Sequence, residues 1–193
     1  MKLLKAVLIR KIFEGVNMIL KDNEVVLRAI EESEAELLRE MINNPQMENM
    51  VVGWSFPVSK AEQIRWIQEQ SKDTKSKRYI VDVNGEGVGM ASLTDIDYKN
   101  SVCVINIKLM DSAKGKGIGY RVIMLLLNYC FNELNLHCVT SSVLEYNIPS
   151  QKLFEKCDFK KDGVLRKRVY KNGKYHDLFE YSMLKEEFNA EKF

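Results

Sequence analysis

Three glycines at alternate positions, Gly115, Gly117 and Gly119, follow a β-branched run from Val102 to Ile107 and precede the apolar stretch Tyr120 to Leu127. Strand, glycine loop and helix in that order leave backbone N–H groups pointing outward at a helix N-terminus. Unpaired donors and the positive end of the helix dipole both favour a phosphate there. A Walker loop does not fit, because no Lys-Ser or Lys-Thr follows a glycine in this loop. The dinucleotide fingerprint does not fit either: Ile118 stands three after Gly115 and Tyr120 three after Gly117. What remains is basic-x-x-Gly-x-Gly, from Lys114, Gly117 and Gly119. The alternative is a tight turn that leaves Lys114 in solvent.

A second segment runs from Val139 to Phe159. Its β-rich part ends at Asn147, Pro149 suits a first helical turn, and Leu153 and Phe154 share one helical face. Asn147 is placed either to cap that helix or to hold a ligand. Further on, Asn172-Gly173 between two β-rich runs signals a tight hairpin.

On these residues the chain resembles the GNAT family of acyl-CoA N-acyltransferases, whose Gln/Arg-x-x-Gly-x-Gly/Ala loop holds the pyrophosphate of acetyl-CoA. Lys114 stands where that family usually has Gln or Arg. Asn147, Ser150, Lys156 and Phe159 match the family's Asn-x-x-Ala/Ser helix start and Lys-x-Gly-Phe helix end. The closing hairpin looks like the subgroup around the ribosomal-protein N-terminal and spermidine acetyltransferases. The resemblance covers roughly Met18 to Leu184. It implies a mixed α+β layer fold with a central, mostly antiparallel sheet flanked by helices, and acetyl transfer to a primary amine by direct attack in a ternary complex. Acetyl-CoA is then the co-substrate, with no metal. The residues it implies for acetyl-CoA are Leu109, Met110, Lys114, Gly115, Lys116, Gly117, Ile118, Gly119, Asn147 and Ser150.

Such a reaction must polarise the thioester carbonyl, remove a proton from the amine and release the thiolate. In the family a bulged strand turns one backbone N–H toward the acetyl oxygen, and the matching stretch here is Asn106 to Met110. An amine of pKa near ~10.4 needs a base. Glu145, Tyr146 and Asp97 are the expected catalytic candidates. Asp95, Glu180, His137 and His176 are further candidates, each of which would otherwise be an ordinary surface or structural group. Many relatives use a Tyr as the acid where this chain has Phe154, which cannot donate. Asp158 replaces the family's Gly at a position that wants left-handed backbone. Trp54 and Phe56, in the breaker-rich loop Val51 to Pro57, are expected to touch the acceptor.

Positioning these residues takes a recognisable series of elements. Val25 to Arg28 reads as a first strand. Ser33-x-x-Glu36 and Ser59-x-x-Glu62 are capping boxes opening two helices. Tyr79 to Val83, Asn84-Gly85 and Val88 to Leu93 form a hairpin, followed by a strand from Val102 to Leu109. Strand, two helices, three strands, helix, strand, helix and two strands describe an α/β layer fold.

The chain's 193 residues, 46% hydrophobic, suffice for one good core. The expected division is an N-terminal extension over residues 1–17, an acetyltransferase domain over 18–187 and a tail over 188–193. Met18 is a candidate alternative start. A net charge of +2 argues against nucleic-acid binding over the whole surface. The apolar run Val122 to Leu127 is far below the roughly 20 residues of a membrane span. Cys103, Cys130, Cys138 and Cys157 contain no Cys-x-x-Cys pair and read as reduced, which favours the cytoplasm. Arg166, Lys167, Arg168, Lys171 and Lys174 make the closing hairpin basic, suited either to an acidic acceptor or to protecting a sheet edge. A polyamine acceptor is disfavoured by those charges, although Asp95, Asp97 and Glu48 leave room for one. A homodimer is possible on this reading. The rival functions are an acyl-CoA-binding module without catalysis and a nucleic-acid reader using Lys114, Lys116 and the hairpin.

Overall fold

The computed structural model describes residues 20–53 and 56–189. The expected extension over 1–17, Met18, Trp54 and the last four residues lie outside the described residues. Eight strands form one sheet: β1 (Lys21–Asp22), β2 (Val25–Arg28), β3 (Lys77–Val83), β4 (Glu86–Asp97), β5 (Val102–Leu109), β6 (Cys138–Leu144), β7 (Lys160–Lys171) and β8 (Lys174–Leu184). Their spatial order is β1-β2-β3-β4-β5-β6-β8-β7. Every neighbouring pair is antiparallel except β5 and β6, which run parallel. The helices are α1 (Ala35–Ile42), α2 (Pro45–Asn49), α3 (Lys60–Glu69), α4 (Ile118–Asn128) and α5 (Ile148–Lys156).

The two faces of the sheet are covered differently. Ala91, Leu93 and Ile105 point to the face packed by the apolar helix α4, where Val122, Ile123 and Leu126 are fully buried. Ile80 and Met90 point to the opposite face, beneath α1 and α3, with Leu38, Met41 and Ile67. This split follows from the two-residue period of strands: a residue and its successor face opposite layers.

Both expected tight hairpins are present. Asn84 and Gly85 have φ of 54° and 86°, and Asn172 and Gly173 have φ of 51° and 81°. These positive angles at both central positions suit the right-handed twist of the strands. Asp158 takes φ 64°, as a helix end there requires.

At two helix starts the local reading differs from the structure. Ser33 does not cap α1, which has no side-chain cap and is entered through a 3-10 turn over Glu32–Glu34. Glu34 is instead held by Arg28 at 2.8 Å, and Arg28 also reaches the buried carboxylate of Asp82 at 2.8 Å. The ion pair sets the entry where a hydroxyl was expected to. In addition, Pro45 does not simply close a helix but begins α2, capped by the Asn44 side chain.

The second capping box forms in full. Ser59 N–H donates to Glu62 Oε2 at 2.8 Å, and Glu62 N–H donates to Ser59 Oγ at 3.2 Å. Ser59→Ala is expected to cost about 1 kcal/mol of stability, read as a shift in the urea midpoint at constant slope.

Candidate active site

The parallel ladder between β5 and β6 covers only Val102–Cys138, Cys103–Val139 and Val104–Thr140. Beyond that point the two strands diverge and a cleft opens in the middle of the sheet. Asn106, Ile107 and Lys108 line one wall, Ser141, Ser142 and Val143 the other, around a cavity of about 230 Å³. Phe154 lies at its base and Met50 to Gly53 at its rim.

The edge of β5 facing the cleft keeps its backbone donors. Met110 N–H donates to Val88 O on the β4 side at 2.8 Å. Strand alternation therefore turns the Leu109 N–H to the other edge, toward the gap. A bulge was expected between Asn106 and Met110. Instead the register with β4 is continuous from Gly89–Leu109 to Thr94–Val104, and the opening comes from β6 leaning away. Gly89 permits this close pairing, since a Cβ there would lie 2.4 Å from Lys108 O.

The glycine loop closes the cleft at the end of β5. Asp111–Ala113 form a 3-10 turn, Gly115 has φ 73° and Gly117 φ 77°, and Gly117 starts α4 without any side-chain cap. No protein atom lies within 4 Å of where a Cβ would stand at Gly115 or Gly117. A helix begun this way offers its first-turn N–H groups, such as those of Ile118 and Gly119, to an anion. Gly119 serves packing instead: a Cβ there would meet Leu153 Cδ2 of α5 at 3.0 Å. Lys114 and Lys116 are exposed beside the loop, and Lys114 Nζ lies 2.6 Å from Asp111.

Asn147 does cap α5, its Oδ1 accepting from Ser150 N–H at 3.2 Å, while its Nδ2 donates to Met50 O at 2.9 Å. The second bond belongs to a set that straps residues 48–53 over the cleft. Tyr146 Oη donates to Asn49 O at 2.6 Å, and Asn172 Nδ2 to Asn49 Oδ1 at 2.6 Å. Lys171 Nζ donates to Glu48 O at 2.9 Å and Gly53 O at 2.8 Å, and pairs with the Glu48 carboxylate.

Lys171 is therefore only 6% exposed and not part of a basic surface, a departure from the reading of the closing hairpin. A bulge between Leu165 and Val169 also interrupts strand alternation through Arg166, Lys167 and Arg168, and Lys167 takes φ 51° with its N–H on Asp177 Oδ1 at 2.8 Å.

The expected catalytic candidates separate. Asp97 sits in the β4–β5 turn opposite Val102, about 23 Å of strand from Leu109. Its carboxylate accepts from Lys99 N–H and Asn100 N–H, bonds to Asn100 that hold its pKa below the usual value. Asp95 is exposed at the same remote end. Glu145 pairs with the buried His176 at 2.8 Å, and the Tyr146 ring packs edge-on against His176. Burial, followed by the charges of Glu48 and Glu145, raises the Tyr146 pKa. These three support the strap and do not line the cleft. Phe56 is 72% exposed beyond the strap and does not line it either. Phe154 is 2% exposed, stacked on Tyr181 and edge-on to Phe159.

What the cleft wall does present is Ser142, backed by a carboxylate that no motif singles out. Ser142 on β6 stands directly across from Glu180 on β8, and its Oγ lies 2.9 and 2.8 Å from the two carboxylate oxygens. Parallel register places Ser142 on the same face as Asn106 and Lys108. Lys108 is largely buried, and desolvation, then the charge of Lys171, lowers its pKa, with Glu48 opposing. A period-two reading could have grouped these residues; it could not have said that their face is the open one.

Among the described residues no helix is long and apolar enough to cross a membrane, and no group of three or more acidic, His or Cys side chains could hold a metal ion. Cys103, Cys130 and Cys157 are buried free thiols.

Comparison with known proteins bears on the family and the fold. A family model described as an acetyltransferase (GNAT) domain matches residues 24–160. A putative ribosomal N-acetyltransferase, YdaF of Bacillus subtilis, is 31% identical over 182 residues, covering 89% of this chain and 98% of that protein. The spermidine N(1)-acetyltransferase of Vibrio cholerae is 26% identical over 160 residues, covering 81% and 91%. A crystal structure of spermidine N-acetyltransferase from Vibrio cholerae in complex with CoA and spermine matches the fold with a TM-score of 0.80 at 24% identity, covering 86% of this chain and 98% of that one.

Proposed function

The chain belongs to the GNAT family of N-acetyltransferases, and from that premise we propose that it carries an acetyl group from acetyl-CoA to a primary amine by direct attack in the cleft between β5 and β6. The observation that carries this reading is the cleft itself: a β5 edge with a free-facing Leu109 N–H, ending in an uncapped helix behind two left-handed glycines. The first-turn N–H groups of α4 and the side chains of Lys114 and Lys116 would hold the pyrophosphate. Asn147 and Ser150 stand at the α5 start along the path of the pantetheine arm. The Leu109 N–H would hydrogen-bond the acetyl oxygen as negative charge develops on it.

Ser142 and Glu180 supply the base in this reading. As the acceptor nitrogen sheds its proton to Ser142 Oγ, Ser142 passes its own hydroxyl proton to Glu180. The nitrogen lone pair then forms the new C–N bond while the C–S bond breaks and the electron pair leaves with sulfur; the second nitrogen proton is lost to solvent, from which the departing thiolate is protonated. Phe154 offers no proton, and none is required at departure, since a thiol of pKa about 8.5 leaves as the thiolate. Among the described residues that line the cleft there is no Cys or His, which is consistent with direct transfer and no acyl-enzyme.

The test is calorimetric titration with acetyl-CoA, using NAD and ATP as controls. Selective binding of acetyl-CoA is expected. Equal or absent binding of all three would remove the assignment. Acetyl-CoA binding without thiol release on any amine would favour the rival reading of a binding module.

A further inference from the structure

A second cavity, of about 350 Å³, lies between α1 and α3 on the same face of the sheet as Ser142 and Glu180. It shares two wall residues with the cleft, Met90 and Lys108, so the two spaces meet at the Lys108 side chain. Its volume falls within the roughly 300–1,000 Å³ of small-molecule sites. Most of its wall is apolar, built from residues such as Leu38, Met41 and Trp66.

Two polar groups interrupt that wall without partners. Gln63 is 4% exposed, and among the described residues its side-chain amide has no hydrogen-bond partner. The Lys108 ammonium likewise has neither a hydrogen bond nor an ion pair among the described residues, although burial works against its charge. Among the described residues every fully buried side-chain nitrogen or oxygen has a partner, so the polar ends of Gln63 and Lys108 stand open to the cavity and can be met by a ligand. The charges nearby do not meet Lys108. Glu48 is taken by Lys171, and the Glu62 carboxylate at the rim is turned to Ser59 N–H.

An ammonium open to the cavity suits an anion, and the apolar wall suits an apolar group with a polar contact for Gln63. We propose that the acceptor is an amino acid with an apolar side chain, its carboxylate on Lys108, its side chain between α1 and α3, and its amine directed to Ser142 in the cleft. The inference rests on the acetyl-transfer reading above and adds the substrate class. It disfavours a polyamine, which would bring cations against an uncompensated ammonium, while Asp95 and Asp97 lie at the remote end of the strands.

The experiment is a thiol-release assay with acetyl-CoA and paired acceptors: L-phenylalanine and L-leucine, their carboxamides, L-alanine, a phenylalanine-led tripeptide, and spermidine. The apolar amino acids are expected to exceed their carboxamides about 10- to 100-fold in kcat/KM, because each carboxamide lacks the charge that Lys108 meets. In Lys108→Met that ratio is expected to fall to about one. Calorimetry with L-phenylalanine, which needs no turnover, checks the same loss as binding, and a melting curve confirms that the variant is folded. Acetyl-CoA binding with no carboxylate preference, with a preference that survives in Lys108→Met, or with the tripeptide or spermidine ahead would overturn the substrate class and leave acetyl transfer standing. Absence of acetyl-CoA binding in the wild type would overturn both.

Discussion

Glu180→Gln is expected to lower kcat about 100- to 10,000-fold while leaving the affinity for acetyl-CoA within about twofold. The Gln amide keeps the shape of the carboxylate and can still accept from Ser142 Oγ, so the β6–β8 register that holds both residues is undisturbed. What disappears is the capacity to take a proton. Ser142→Ala is expected to lose less, because a water in the space of the hydroxyl can relay the proton to an intact Glu180. Glu145→Gln is the control. Its carboxylate pairs with His176 behind the strap, so the expected result there is a lower melting temperature with little change in kcat. If thiol release in Glu180→Gln matches the wild type, Glu180 is not the base, and acetyl-CoA recognition is unaffected by that outcome.

Gly117→Val is expected to weaken acetyl-CoA binding about 100-fold or more, since hydrogen bonds to a charged group contribute roughly 1.5–3 kcal/mol each and at least two are displaced. The residue sits at φ 77° with open space around its missing Cβ, so the substitution meets no protein atom. Its effect has two sources. A β-branched side chain in left-handed backbone is strained by about 1–3 kcal/mol, which drives the loop to rearrange, and the methyl groups then occupy the approach to the α4 N–H groups. Gly119→Val is the poorer probe, because its Cβ would press on Leu153 at 3.0 Å and confuse packing with binding. Calorimetry together with a melting curve separates the two. A Gly117→Val protein that is folded and binds acetyl-CoA as the wild type does would show that the loop is only a turn.

The sequence alone determined the main elements and their order, though not the short β1 or the helix α2 that Pro45 begins. The limits of β5, the Ser59 capping box, both Asn-Gly hairpins and the strand-loop-helix around Gly117 depend on neighbours within a few residues, where propensity, capping and backbone sterics act. The resemblance carried by Lys114, Gly117, Gly119 and Asn147 is of the same local kind. Where a long-range partner competes, local reading fails. Ser33 lost its cap to an entry governed by Arg28 and Asp82, and Lys171, one of a run of basic residues, was drawn inside by Glu48 across 123 positions of sequence.

The site itself belongs to the tertiary structure. A strand's two-residue period groups Asn106 with Lys108 and Thr140 with Ser142, but only the parallel register of β5 against β6 aligns those sets on one face. Only the divergence of the two strands after Val104 and Thr140 opens that face to a ligand. Ser142 meets Glu180, and Lys108 and Gln63 border one cavity, because strands and helices far apart in sequence are packed side by side. Asp97 shows the converse. It is a carboxylate at a plausible strand end, and the direction of β4 carries it to the far turn of the sheet. Chemistry at a distance in sequence is set by register, face and strand direction, which are properties of the assembled sheet and not of any one segment.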